Sequence, residues 1–261
     1  MKALDTKYKR WLAVAGIGIY LLVALSFTHN KFKQIRCTHI DVNVLDSAKA
    51  MFISPKDITQ LISKNEFNII GYPLSDINTL VVERAITMHP SIKSAQVYSS
   101  VKGALKVAIQ QREPIVRIMN KNGTGYYIDL EGDLMPLSDN YTARVPIING
   151  AINKSYQKYK IQNFNQEKSD SLLQSVYRLS LAIYRNPYWN AMTDQLYTDN
   201  EQNISIIPKT GADQIFLGRT FDFDKDLNIL TEFYNQVLPV VGWEKYKTIN
   251  LKFNKQVVCK K

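Results

Sequence analysis

A chain of 261 residues with 45% hydrophobic and 21% charged content has the composition of a packed protein, and its 11 Gly and 9 Pro are too few for a fibrous or disordered one. Two cysteines and three histidines exclude a disulfide-rich scaffold and a multi-thiolate zinc site and leave little for imidazole chemistry, so no metal, cofactor or catalytic set is expected. The net charge of +10 is uneven: residues 1–36 hold seven Lys and Arg against one Asp, 37–118 nine against seven, and 119–261 seventeen against fifteen, which places the surplus around the first apolar segment and argues against a nucleic-acid surface.

That segment, WLAVAGIGIYLLVALSF at 11–27, carries no charge, and the next ionised residue is Lys31. As a helix it would cover about 25 Å, and residues 28–30 extend it towards the roughly 30 Å of a bilayer interior. A single transmembrane helix over 11–30 is expected, with Trp11, Tyr20 and Phe27 as membrane-spanning residues and a tail at 1–10. The basic flanks are nearly equal, so orientation rests on architecture: the long following domains are exported and the N-terminus stays cytoplasmic, at the inner membrane. A cleaved signal peptide ending near Ala24-Leu25-Ser26 is the rival, but the run exceeds the 7 to 15 residues of a signal core.

Beyond the span, Ile40, Val42 and Val44 alternate with polar residues, as in a half-buried strand. Ser54-Pro55-Lys56-Asp57 is a helix start, with the N-cap, the first-turn proline and the acid three positions on, and Ile58, Leu61 and Ile62 form the stripe. A second helix is expected from Ser75 or Asp76, with Ile77, Leu80, Val81, Ala85 and Met88 on its apolar face, stopping at His89 before Pro90. His89 has no nucleophile or carboxylate at a suggestive spacing, so a capping or surface role is expected. A strand at 95–99, a turn at Lys102-Gly103 and a strand at 104–111 complete the order β-α-α-β-β.

That order, the segment Pro90-Ser91-Ile92-Lys93-Ser94-Ala95-Gln96-Val97 and the closing Gln111-Arg112-Glu113-Pro114 resemble the POTRA domain of the bacterial cell-division family FtsQ, also called DivIB. The resemblance implies an α+β chain: an N-terminal span, a POTRA domain at 36–114, and at 115–261 a mixed α/β domain with an extended, mostly antiparallel sheet. Its second part carries the resemblance onward through Tyr126-Tyr127-Ile128-Asp129, Val145-Pro146-Ile147-Ile148-Asn149-Gly150 and Ile215-Phe216-Leu217-Gly218.

Asp129, Glu131 and Asp133 alternate, but EF-hand spacing is absent, and a solvated hairpin end is expected. A helix at 168–185 has Leu172, Leu173, Val176, Leu179 and Ile183 on one face and ends at Asn186-Pro187, while Lys158, Lys160 and Lys168 read as a solvated face. Strands follow at 195–198, 203–207 and 214–217, then a helix to Leu238 whose Asp222, Asp224 and Asp226 complement its dipole. Cys37 and Cys259 are expected as free thiols.

A last strand is expected at 248–258, with Ile249, Leu251 and Phe253 on one face and Thr248, Asn250 and Lys252 on the other. Its open edge would be either blocked by its lysines or used for pairing. The resemblance implies use: FtsQ-like proteins are non-enzymatic and bind the single-span proteins FtsB and FtsL, an FtsB strand adding beside the last strand. Here Asn250-Leu251-Lys252-Phe253 matches the family's "D-L-R-Y/F", which makes Thr248, Ile249, Asn250, Leu251, Lys252 and Phe253 the expected partner-binding residues in a scaffold that gathers divisome proteins at the septum. The alternative is a POTRA-bearing component of export or envelope assembly. A cell-wall enzyme would require a motif such as Gly-x-Ser-x-Gly or His-Glu-x-x-His, and the chain has neither.

Overall fold

The computed structural model describes residues 11, 14–23, 35–45, 51–64, 69–154, 156, 171–218, 222–253 and 256–261. Trp11 and residues 14–23 are helical, and Trp11 and Tyr20 are largely exposed. Among the described residues no helix is long and apolar enough to cross a membrane; Phe27 and the rest of the expected span at 24–30 lie outside them. So do Lys158, Lys160 and Lys168. The chain divides into two units, Met1–Ser47 with Ile53–Gln110, and Ala48–Phe52 with Gln111–Lys261.

The first unit follows the order β1 (His39–Val44), α1 (Pro55–Lys64), α2 (Thr79–Thr87), β2 (Ile92–Ser99) and β3 (Ala104–Gln111), with β3 central and parallel to β1. Helix α1 starts as its sequence dictates: Ser54 N–H donates to Asp57 Oδ2 at 2.9 Å, and Asp57 N–H donates to Ser54 Oγ at 3.3 Å, a reciprocal capping box. Its Ile58 and Ile62 pack with Val82 and Ile86 of α2 on Leu105, Val107 and Ile109 of β3. Gly103 closes the β2–β3 hairpin at a φ of +85°, and a Cβ there would meet the Arg36 carbonyl at 3.0 Å.

Helix α2 departs from expectation twice. It begins a turn later, because Ile77 is extended and Asn78 is the cap, its side chain accepting from Val81 N–H. Its buried face is Val82 and Ile86, whereas Leu80, Val81 and Met88 are exposed. Apolar residues occupy Leu80, Val81, Val82, Ala85, Ile86 and Met88, so periodicity alone does not single out one stripe. His89 Nδ1 accepts from Ser91 N–H at 3.3 Å in the turn that follows.

The second unit contains a nine-stranded sheet: β4 (Pro114–Met119), β5 (Gly125–Asp129), β6 (Leu134–Pro136), β7 (Ile147–Gly150), β8 (Thr193–Thr198), β9 (Ile204–Pro208), β10 (Gln214–Gly218), β11 (Thr248–Asn250) and β12 (Val258–Lys260), in the order β12-β11-β10-β9-β8-β7-β4-β5-β6. Pairing is antiparallel except at β4–β7, β7–β8 and β10–β11, the last two bridged by helical crossovers. These carry α3 (Ser171–Arg185) with α4 (Pro187–Met192), and α5 (Phe223–Gln236) with α6 (Leu238–Val241). One register row runs Ile118, Ile148, Leu196, Ile206, Ile215, Ile249, each fully buried against the helices. Trp189 of α4 is also fully buried, its indole N–H donating to the Leu227 carbonyl at 3.0 Å and Thr231 Oγ1 at 2.8 Å. Asp222 caps α5, accepting from Lys225 N–H, and Asp224 and Asp226 fall in its first turn.

Asp129 corrects the expectation of a solvated hairpin end. Its side chain is wholly buried; Oδ1 accepts from the backbone N–H of Glu131 and Asp133, and Oδ2 from Arg112 Nη1 at 2.7 Å, which also donates to Asp133 Oδ2 at 2.6 Å. Two of the three alternating carboxylates, Asp129 and Asp133, answer a single guanidinium 17 and 21 residues upstream, a relation that spacing cannot reveal. Burial pushes the Asp129 carboxyl upward, against the opposing pull of Arg112 and the backbone amide.

Candidate docking edge

The sheet terminates at one end in β11 and β12, and the local sequence explains the shape of that end. Thr248, Ile249 and Asn250 pair in parallel with Gln214, Ile215 and Phe216, and Leu251 N–H donates to the Phe216 carbonyl at 2.9 Å. There the strand stops, because Asn250 Oδ1 accepts from Lys252 N–H at 2.9 Å, a side-chain turn that bends the backbone out of the ladder. After the bend Val258–Lys260 return antiparallel, pairing Thr248 with Lys260, Ile249 with Cys259 and Asn250 with Val258.

The expected single strand at 248–258 is therefore a hairpin. Thr248, Ile249 and Asn250 have neighbours on both sides, so the edge next to them is filled by the chain's own backbone, and the outermost strand is β12. Of the six expected partner-binding residues, Ile249 and Leu251 point into the core, Thr248 and Asn250 are half-buried, and Lys252 and Phe253 are exposed in the bend. Lys255 lies outside the described residues. Sequence reasoning missed β12; the signal for it is that Asn250 and Asn254, a residue type that favours turns, both fall inside one supposed strand.

The two faces of this end differ. On the core face Cys259 stands beside Ile249, half-buried, with burial raising its thiol pKa. On the other face one register row runs Asn149, Tyr197, Ser205, Phe216, Asn250, Val258, in which Tyr197 and Val258 are exposed. Charge is concentrated in Lys252, Lys260 and Lys261, all exposed. Across from Lys252 stands Asp199: burial alone would raise its carboxyl, but the Asn203 side chain at 2.7 Å, the backbone N–H groups of Asn203 and Glu201 and the Lys252 charge hold it below the usual carboxylate range. The arrangement can pair backbone to backbone along β12 and offer Phe253, Val258 and lysines to the partner's side chains. Both cysteines are free thiols, and no group of three or more His, Cys, Asp or Glu able to hold a metal ion occurs among the described residues.

Comparison with known proteins matches residues 35–110 to a POTRA-like domain and residues 113–260 to the model described as FtsQ/DivIB, C-terminal related. The chain is similar to the Cell division protein FtsQ of Rhodothermus marinus, 23% identical over 253 residues that cover 95% of this chain and 85% of the relative. It is also similar to the Cell division protein FtsQ of Salinibacter ruber, 23% identical over 195 residues that cover 73% of this chain and 72% of that one. With both units matched in order and the second match covering more than half of its length, the chain belongs to the FtsQ/DivIB family of cell-division proteins.

Proposed function

We propose that this chain is a non-enzymatic scaffold of the division septum, anchored in the inner membrane by residues 11–30 with its N-terminus cytoplasmic, which captures FtsB-like and FtsL-like single-span partners by strand addition at the far end of its second sheet. The observation that carries the reading is the three-residue β12 at the sheet's rim, with Val258 exposed within it and Phe253 exposed in the bend before it. Main-chain pairing supplies affinity there, and Lys252 and Phe253 in the bend supply selectivity. Thr248, Ile249, Asn250 and Leu251 hold the rail in place from one strand further in. The uncharged run at 11–27 and its basic flanks support the anchor.

Removing residues 256–261 separates the two possible rails, because it deletes β12 and leaves β11 as the rim. Pulldown of the tagged full-length chain from detergent-solubilised membranes, with the partners identified by mass, should show capture of the FtsB-like chain lost. Capture that persists or strengthens would move docking to β11 and overturn the assignment to β12.

A further inference from the structure

The first sheet has a rim of its own. Strand β2 is eight residues long and pairs only with β3 among the described residues, leaving its other side without a strand. That is longer than the five or six residues of an ordinary strand. Two common protections of an exposed rim are thin here: β2 contains no proline, and Lys93 is its one charge. Self-pairing faces no like-charge penalty either. An antiparallel match of two copies of β2 centred on Val97 would set Lys93 opposite Val101.

Helix α2 packs closely along β2, and one of its side chains reaches the rim itself. Glu83, half-buried on α2, accepts the backbone N–H of Val97 through Oε1 at 2.7 Å, a short charge-assisted bond at the middle of the rim. Since N–H groups alternate along a strand, Ala95 and Ser99 present theirs on the same side as Val97. The carboxylate oxygen sits where an incoming strand would have to place a carbonyl oxygen. A neutral carbonyl that displaced it would leave an anion unpaired beside the new ladder, a repulsive element directed against pairing.

We infer that Glu83 is a built-in cap that closes the β2 rim against pairing with a second copy of this chain. This goes beyond the docking role of β12 and does not depend on it. Membrane anchoring would bring copies together on one surface, which is where such a cap has most effect.

The test uses the full chain in detergent micelles, comparing wild type, Glu83→Ala, Glu83→Leu and Glu83→Gln by light-scattering mass and by hydrogen exchange. In the alanine and leucine variants, exchange at the Val97 amide of the monomer measured at high dilution should rise by about tenfold or more, and at higher concentration both should form a dimer in which that amide is again protected. The glutamine variant keeps an acceptor oxygen but not the charge, so its Val97 amide should stay protected in the monomer while its tendency to dimerise falls between those of wild type and the leucine variant. Unchanged exchange at Val97 in both acceptor-free variants overturns the contact; faster exchange with all variants monomeric overturns the capping role. The leucine variant retains the apolar stem, so the question remains answerable if the alanine variant does not fold.

Discussion

Arg112 belongs to the motif Gln111-Arg112-Glu113-Pro114 that ends the first unit in sequence, yet its work lies in the second. One guanidinium nitrogen bridges the buried Asp129 and Asp133, and the neighbouring Glu113 accepts the Tyr184 hydroxyl at 2.7 Å while its carbonyl accepts Leu130 N–H at 2.9 Å. Together these ties fasten the entry of β4 to the β5–β6 turn and to α3. Removing one partner of a buried pair leaves the other charge uncompensated, so Arg112→Ala should cost about 3–5 kcal/mol in urea unfolding. A loss within experimental error would mean that the carboxylates are solvated in the folded state.

At the scale of elements, the contact between β7 and β8 shows why a motif glycine is required. Gly150 has a φ of +100°, Ala151 N–H donates to the Thr198 carbonyl at 2.7 Å, and a Cβ on Gly150 would overlap that same carbonyl oxygen. Gly150→Ala should therefore destabilise the second unit by about 1–3 kcal/mol or more, read as a lower unfolding midpoint with an unchanged denaturant slope. A midpoint equal to wild type would show that the parallel β7–β8 pair can slide without cost. The C-terminal hairpin carries the complementary lesson: Asn250 ends a strand because its side chain competes with the ladder for a backbone N–H, a choice made by the local sequence rather than by the tertiary fold.

Across the whole molecule, the legible parts were those specified locally. The capping box at Ser54, the alternation of β3 and the dipole-complementing start of α5 were readable because each is decided within a few residues. The parts that were not readable depend on distant partners or on near-degenerate patterns: which face of α2 is buried, what neutralises Asp129, and whether residues 248–258 run straight or fold back. The residues expected to contact a partner at 248–250 stand one strand in from the rim, since a two-residue period looks the same in a rim strand and in one enclosed by a hairpin. Charge is a whole-chain property, and its asymmetry is testable. Residues 1–34 hold six Lys and Arg against one Asp, so the chain without them keeps +5 of its +10. It should leave a cation exchanger at markedly lower salt and bind neither DNA nor phosphatidylserine vesicles at physiological ionic strength. Retention of either would point to a basic surface in the folded units.

The parallel pairing of β10 with β11 has a temporal consequence. A parallel neighbour can be reached only by way of a long crossover, here the stretch containing α5 and α6, so the ribosome must complete both helices before β11 and then β12 can emerge. If β12 is the rail proposed above, half-made chains have none to offer, and the order in which the polypeptide appears would by itself keep a partner from docking early.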